Sequence, residues 1–67
     1  MEIVKKNLIE LRKKKGLTQQ KVAEYLKIER SNYSKYELGK LEINIDMLRK
    51  LSMLYKVTTD YILGLAK

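Results

Sequence analysis

The sequence predicts an all-α domain of five short helices. Apolar residues recur at spacings of three and four along nearly the whole chain. No segment alternates β-branched and polar residues as a half-buried strand does. No proline, low-complexity run or internal repeat divides the 67 residues. One domain over residues 1–67, standing alone, is therefore the expectation.

The first helix is expected from Glu2 to Lys15. Val4, Leu8 and Leu11 form one apolar stripe, with Ile3 and Ile9 widening it or sitting at its edge. Lys13, Lys14 and Lys15 suit the negative end of the helix dipole, and Gly16 suits the turn that follows. Leu17 packs inward. Thr18 caps a second helix from Gln19 to Leu26, whose inner face is Val22, Ala23 and Leu26. Lys27 and Ile28 turn the chain into a third helix, about 29–38, which Gly39 ends. Asn44 caps the fourth helix, with Asp46 in its first turn. Ile45, Leu48, Leu51, Ser52 and Tyr55 are expected on its buried side. Thr58 or Thr59 caps a last helix reaching about Leu65, anchored by Ile62 and Leu63. Short connections between five such helices give a compact helical domain.

Composition removes several function classes. The chain has no cysteine and no histidine. A disulfide, a thiolate metal site, the usual general base and the usual metal ligand are thus excluded. The few carboxylates are spread along the chain, so no catalytic constellation assembles, and an enzyme is not expected. No cofactor, metal or small-molecule ligand is indicated. No apolar run approaches the roughly 18–20 residues of a membrane span. The start, "MEIVKKNLIELRKKK", lacks the apolar core and cleavage site of a signal peptide. A cytoplasmic protein without membrane contact is the expectation.

The formal net charge is +7. Residues 1–40 hold eleven Lys/Arg against five Asp/Glu, and residues 41–67 hold four against three. A basic half beside a near-neutral half suits a polyanion-binding face joined to a packing or assembly face. An ordinary lysine-rich surface gives the same total.

The stretch "IERSNYSKYELGK", residues 28–40, separates into two faces when read as a helix. Tyr33 and Tyr36 fall on the inner side. Arg30, Ser31, Ser34, Lys35 and Leu38 occupy an outer arc of about 140°. That arc is short, polar and basic, which lets a helix approach base edges in the major groove closely. Arginine and lysine donate to guanine N7 and O6, and serine hydroxyls take either role. Arg30, Ser31, Ser34 and Lys35 are the base-edge candidates. Glu29, Asn32 and Leu38 are further candidate contacts. Glu29 either serves the helix dipole or accepts from cytosine N4. A plain solvated helix face is the competing reading of the same arc.

"LTQQKVAEYLKIERSNYSKYELGK" resembles the helix-turn-helix of Cro/C1-type regulators, the XRE family. The similarity begins at "LIELRKKKGLTQ" and ends at "INIDMLRKLSMLYKVTTDYILG", covering residues 8–64. It implies a five-helix lambda-repressor-like domain with a helix-turn-helix at about 19–38. It implies sequence-specific binding of double-stranded DNA by a small transcriptional regulator, most readily a repressor or autoregulator. By the same resemblance Ala23 sits where the second and third helices cross. Arg12 and Glu37 match a buried ion pair that ties the first helix to the third. Gln19 is expected to contact a phosphate and brace the first residues of the third helix. Thr18 and the start of the second helix join it on the phosphate backbone. Lys40, with the amides near Leu38 and Gly39, clamps the backbone on the far side. The chain departs from the family pattern at Lys27, where glycine is frequent, at Glu29, and at Ile43, where proline is common. Lys27 implies either a left-handed lysine or an altered turn.

Met47, Met53, Leu54, Tyr61 and Leu65 are apolar where the family often tolerates polar residues. They are either additional core or a patch for a symmetric homodimer, which would read a palindromic site. The rival use of that patch is an antitoxin-like protein-interaction module. The five tyrosines also raise base stacking on single strands. Tyr33, Tyr36 and Tyr55 fall at inward positions, which favours core.

Overall fold

A computed structural model describes residues 2–65. Met1, Ala66 and Lys67, the ends of the expected domain, lie outside the described residues. Five helices follow one another: α1 (Glu2–Lys14), α2 (Gln19–Leu26), α3 (Arg30–Glu37), α4 (Ile45–Tyr55) and α5 (Thr59–Leu63). The described residues contain no strand. The helix ends differ from expectation by one or two residues, as fraying ends commonly do.

The starts of α2, α4 and α5 are fixed by capping side chains. Thr18 Oγ1 accepts from the Lys21 amide at 3.1 Å, Asn44 Oδ1 from Met47 at 2.8 Å, and Thr58 Oγ1 from Tyr61 at 3.0 Å. These bonds satisfy amides that the helix itself leaves open. Glu29 occupies the N-cap of α3 without a side-chain capping bond.

The core gathers one stripe from every helix. Val4, Leu8 and Leu11 of α1 meet Val22, Ala23 and Leu26 of α2, Tyr33 of α3, Met47, Leu51 and Tyr55 of α4, and Ile62 of α5. Tyr33 is fully enclosed and Tyr55 nearly so, while Tyr36 is half-buried against the same core. Ala23 has no exposed surface where α2 packs on α3. A larger side chain there would push α3 outward. Ile43 is half-buried and packs on the core, which anchors the loop before α4.

Helix α4 buries Leu48, Leu51, Ser52 and Tyr55 wholly or in part as expected, but its first turn differs. Ile45 is 77% exposed, and Met47 is buried at 6%. Leu51 and Tyr55 are inside as expected, with Leu48 and Leu54 half-buried beside them. The buried line is therefore Met47–Leu51–Tyr55, spaced by four. Of the two readings of the apolar patch, Met47 buried in the core and Leu54 half-buried against it fit additional core.

Helix α1 clasps α5. Asn7 Nδ2 donates to the carbonyls of Tyr61 and Ile62 at 3.1 and 3.2 Å. Gly64 then closes α5 at φ +79°, and a Cβ on it would lie 2.6 Å from Ile3 Cγ1. Only glycine fits both the left-handed backbone and that approach.

Two lysines adopt the conformation glycine prefers. Lys27 has φ 61°, ψ 42° and Lys56 has φ 55°, ψ 44°. The α2–α3 turn thus keeps its left-handed geometry, and Lys27 bears the steric cost. Lys27→Gly is expected to raise stability by about 0.5–1 kcal/mol, because the Cβ penalty in this region outweighs the entropy that glycine adds to the unfolded chain. A lower midpoint in urea denaturation would contradict this.

Candidate nucleic-acid interface

The outer face of α3 is open. Arg30, Ser31, Asn32 and Lys35 are exposed, Leu38 is 58% exposed, and Ser34 is half-buried. The buried residues of this helix are Tyr33 and Glu37. At about 100° per residue, Ser31, Lys35 and Leu38 lie opposite them and form the crest. Ser34 sits on one shoulder and Asn32 on the other, while Arg30 is aligned with Glu37 and is exposed because it begins the helix. Ser31, Ser34 and Lys35 are thereby brought onto one face, and Arg30 is exposed at the N-terminal tip of the helix. Arg30 and Lys35 form no ion pair among the described residues.

A buried polar cluster fixes that helix to the domain. Glu37 is 4% exposed. Its Oε2 accepts from Arg12 Nε at 2.7 Å and from the Tyr33 hydroxyl at 2.6 Å. Its Oε1 accepts from Arg12 Nη2 at 3.1 Å and from Gln19 Nε2 at 3.0 Å. Arg12 Nη1 also donates to the Leu17 carbonyl at 3.0 Å. One carboxylate therefore joins α1, the start of α2, and both turns of α3. Burial pushes the Glu37 carboxyl up, but the hydrogen bonds from Arg12, Tyr33 and Gln19 hold it below its ordinary value. Burial, then the bond to Glu37, raises the Tyr33 phenol far above its usual range. The bond to Glu37 raises Arg12 further.

The expected Arg12–Glu37 pair is present, but two of its partners were not expected. Gln19 braces Glu37 in the last turn of α3, not the first residues of that helix. Its amide is turned inward to a carboxylate because Glu37 is the only buried acceptor charge among the described residues. Tyr33 joins through its i, i+4 spacing to Glu37, a signal present in the sequence but read there only as apolar bulk.

The flanks offer phosphate donors. The first amides of α2 have no intrahelical partner, and Thr18, exposed, can donate its hydroxyl proton outward while accepting from Lys21. Lys40 is exposed just beyond α3. The amides that were to assist it are already used. Leu38 N donates to the Ser34 carbonyl, Gly39 N to Tyr36, and Lys40 N to Lys35. Only the Lys40 side chain remains for the far side. Of the residues expected on an assembly patch, Met53 is 70%, Tyr61 47% and Leu65 66% exposed. No group of three or more acidic, histidine or cysteine side chains capable of holding a metal occurs among the described residues. No helix there is long and apolar enough to cross a membrane.

Residues 8–62 match a family model described as helix-turn-helix. The chain is 49% identical over 59 residues to the HTH-type transcriptional regulator ImmR of Bacillus subtilis, covering 88% of this chain and 46% of that protein. It is 46% identical over 52 residues to the SPbeta prophage-derived HTH-type transcriptional regulator YonR of the same organism, covering 78% and 48%. It is 41% identical over 57 residues to the HTH-type transcriptional activator BcrR of Enterococcus faecalis, covering 85% and 28%. The chain spans about half the length of the first two relatives.

Proposed function

The chain belongs to the Cro/C1-type helix-turn-helix family, and from that membership we propose that it is a transcriptional regulator reading duplex DNA with α3. The supporting observation is the exposed polar, basic crest of α3 on a helix whose inner side is locked by Glu37. Such a helix enters the major groove with little entropy left to lose on binding. Arg30, Ser31, Ser34 and Lys35 touch base edges. Asn32 and Leu38 lie near them, and Glu29 remains a helix-dipole residue or a cytosine contact. Thr18, the first backbone amides of α2 including that of Gln19, and Lys40 hold phosphates and set register. The role is one of binding, not catalysis, exercised in the cytoplasm by residues 1–67 acting as one unit.

Met53, Tyr61 and Leu65 support self-association. Two copies would read a palindrome whose half-sites lie roughly 34–36 Å apart, one helical turn. The relative BcrR is named an activator, whereas repression or autoregulation is our reading here. The sign depends on where the site lies relative to a promoter. The same apolar residues could instead meet a toxin-like partner protein.

Selection of bound duplexes from a random pool tests the proposal. An enriched palindrome is the expected result, and no enrichment over bulk DNA would favour the protein-interaction reading. On the selected site, Arg30→Ala is expected to weaken binding by about 1–3 kcal/mol and relax preference at one position. Equal weakening on all sequences would move Arg30 to the phosphates. Lys40→Ala should weaken binding to every sequence and lower the salt slope by about one. An unchanged slope would remove Lys40 from the backbone contacts.

A further inference from the structure

Away from the α3 crest, an open cleft of about 400 Å³ lies between the end of α1 and the α4–α5 junction. Leu11, Tyr55, Val57 and Tyr61 form its apolar and aromatic wall, and Lys14 and Lys15 its rim. No acidic residue lines it. Neither lysine takes part in an ion pair among the described residues. The volume falls in the ordinary range for small-molecule sites, roughly 300–1,000 Å³. An apolar floor beneath two cations matches one chemistry: a small organic acid with a flat hydrophobic body. The body lies on the tyrosine and aliphatic wall, and the carboxylate reaches the ammonium groups.

Tyr55 connects this cleft to the buried polar cluster. Tyr55 is one of the residues that line the cleft. Its hydroxyl is buried without a hydrogen-bond partner among the described residues. Tyr55 shares the core with Tyr33, whose hydroxyl donates to Glu37 Oε2 at 2.6 Å. A buried hydroxyl without a well-formed bond is costly, so a shift of its ring that completes one is favoured. Tyr55 therefore stands between the cleft and the Tyr33–Glu37 bond that helps to hold α3.

We propose that this cleft binds a small amphipathic carboxylate, and that its occupancy is transmitted through Tyr55 to the Arg12–Glu37 cluster and so to the reading helix. The last step rests on the DNA-reading proposal above; the binding and the shift at Arg12 do not.

The test uses the full chain, nuclear magnetic resonance, and benzoate as probe with benzyl alcohol as its neutral counterpart. Benzoate should give saturable shifts centred on Leu11, Lys14, Lys15, Val57 and Tyr61, and should move the Arg12 Nε–H resonance. Benzyl alcohol should bind about tenfold more weakly, as should benzoate to the Lys14→Gln/Lys15→Gln double variant. In Tyr55→Phe saturated with benzoate, the Arg12 response should be lost. Shifts spread over Lys5, Lys21 and the other exposed lysines, or equal binding of the alcohol, would overturn the site. An Arg12 resonance that stays still in the benzoate-saturated chain would overturn the coupling. Affinity for the selected duplex is then measured with benzoate against the same concentration of sodium chloride. A benzoate-specific change of about threefold or more, absent from the double variant, is expected. No change beyond salt would overturn transmission to the reading helix. A chain that shows both the cleft and the Arg12 shifts but selects no duplex would instead overturn the DNA-reading proposal alone.

Discussion

Glu37→Ala is expected to lower stability by about 3–5 kcal/mol in urea denaturation at neutral pH. The substitution removes the acceptor of four hydrogen bonds at once. It leaves the Arg12 guanidinium, with a side chain only 14% exposed, without its counter-charge. It also strands the hydroxyl of fully enclosed Tyr33. Small domains hold only about 5–15 kcal/mol in total, so the variant should be largely unfolded under mild denaturation. The Arg12→Met/Glu37→Met double variant should recover much of the loss, because two apolar side chains strand no charge. A single-variant loss below about 1 kcal/mol would place this cluster with exposed ion pairs and contradict its role in fixing α3. The cluster also sets the acid response. Glu37 is held below its ordinary value of 4.5, so its contribution is complete above that pH. It is lost as pH falls through the lower, folded-state value. The native protein should therefore lose stability more steeply below pH 4.5 than Glu37→Gln, whose amide does not titrate. Parallel slopes for the two would count against the depressed carboxyl.

Leu51→Ala is expected to cost about 2–5 kcal/mol as a cavity variant. Leu51 has no exposed surface and lies midway along the buried line of α4. Ile45→Ala, six positions earlier and 77% exposed, should change stability by no more than about 0.5 kcal/mol. The pair tests the register of α4 directly. A loss at Ile45 comparable to that at Leu51 would mean that α4 buries Ile45 as its sequence first suggests.

That register shows where sequence reading ends. The segment "IDMLRKLSMLY" places apolar residues at 45, 47, 48, 51, 53, 54 and 55. They cover too much of the helix circumference for a period of 3.6 to choose one face. The choice is made outside the helix, by the loop that delivers Ile43 to the core and starts α4 at Ile45. Helices α1 and α2 were legible because their stripes are narrow and polar on the other side. The caps were legible because threonine and asparagine act locally on amides two or three residues away. The α3 arc was legible for the same reason as α1, and the Arg12–Glu37 pair through family resemblance. Gln19's bond to Glu37 spans 18 residues and depends on how α2 crosses α3, which local pattern does not encode. Nor does composition show that Lys27 would take a glycine's backbone, since the fold demands the turn whatever residue stands there.

The position of Arg12 limits how far the reading segment can travel. The helix-turn-helix itself begins after Leu17, yet the charge that neutralises its Glu37 comes from α1. Grafted onto another scaffold, residues 17–40 would carry a bare carboxylate into the interior. Chimaeras between relatives should therefore be joined upstream of Arg12, and an exchange of specificity confined to the crest of α3 should tolerate any α1 that keeps an arginine there.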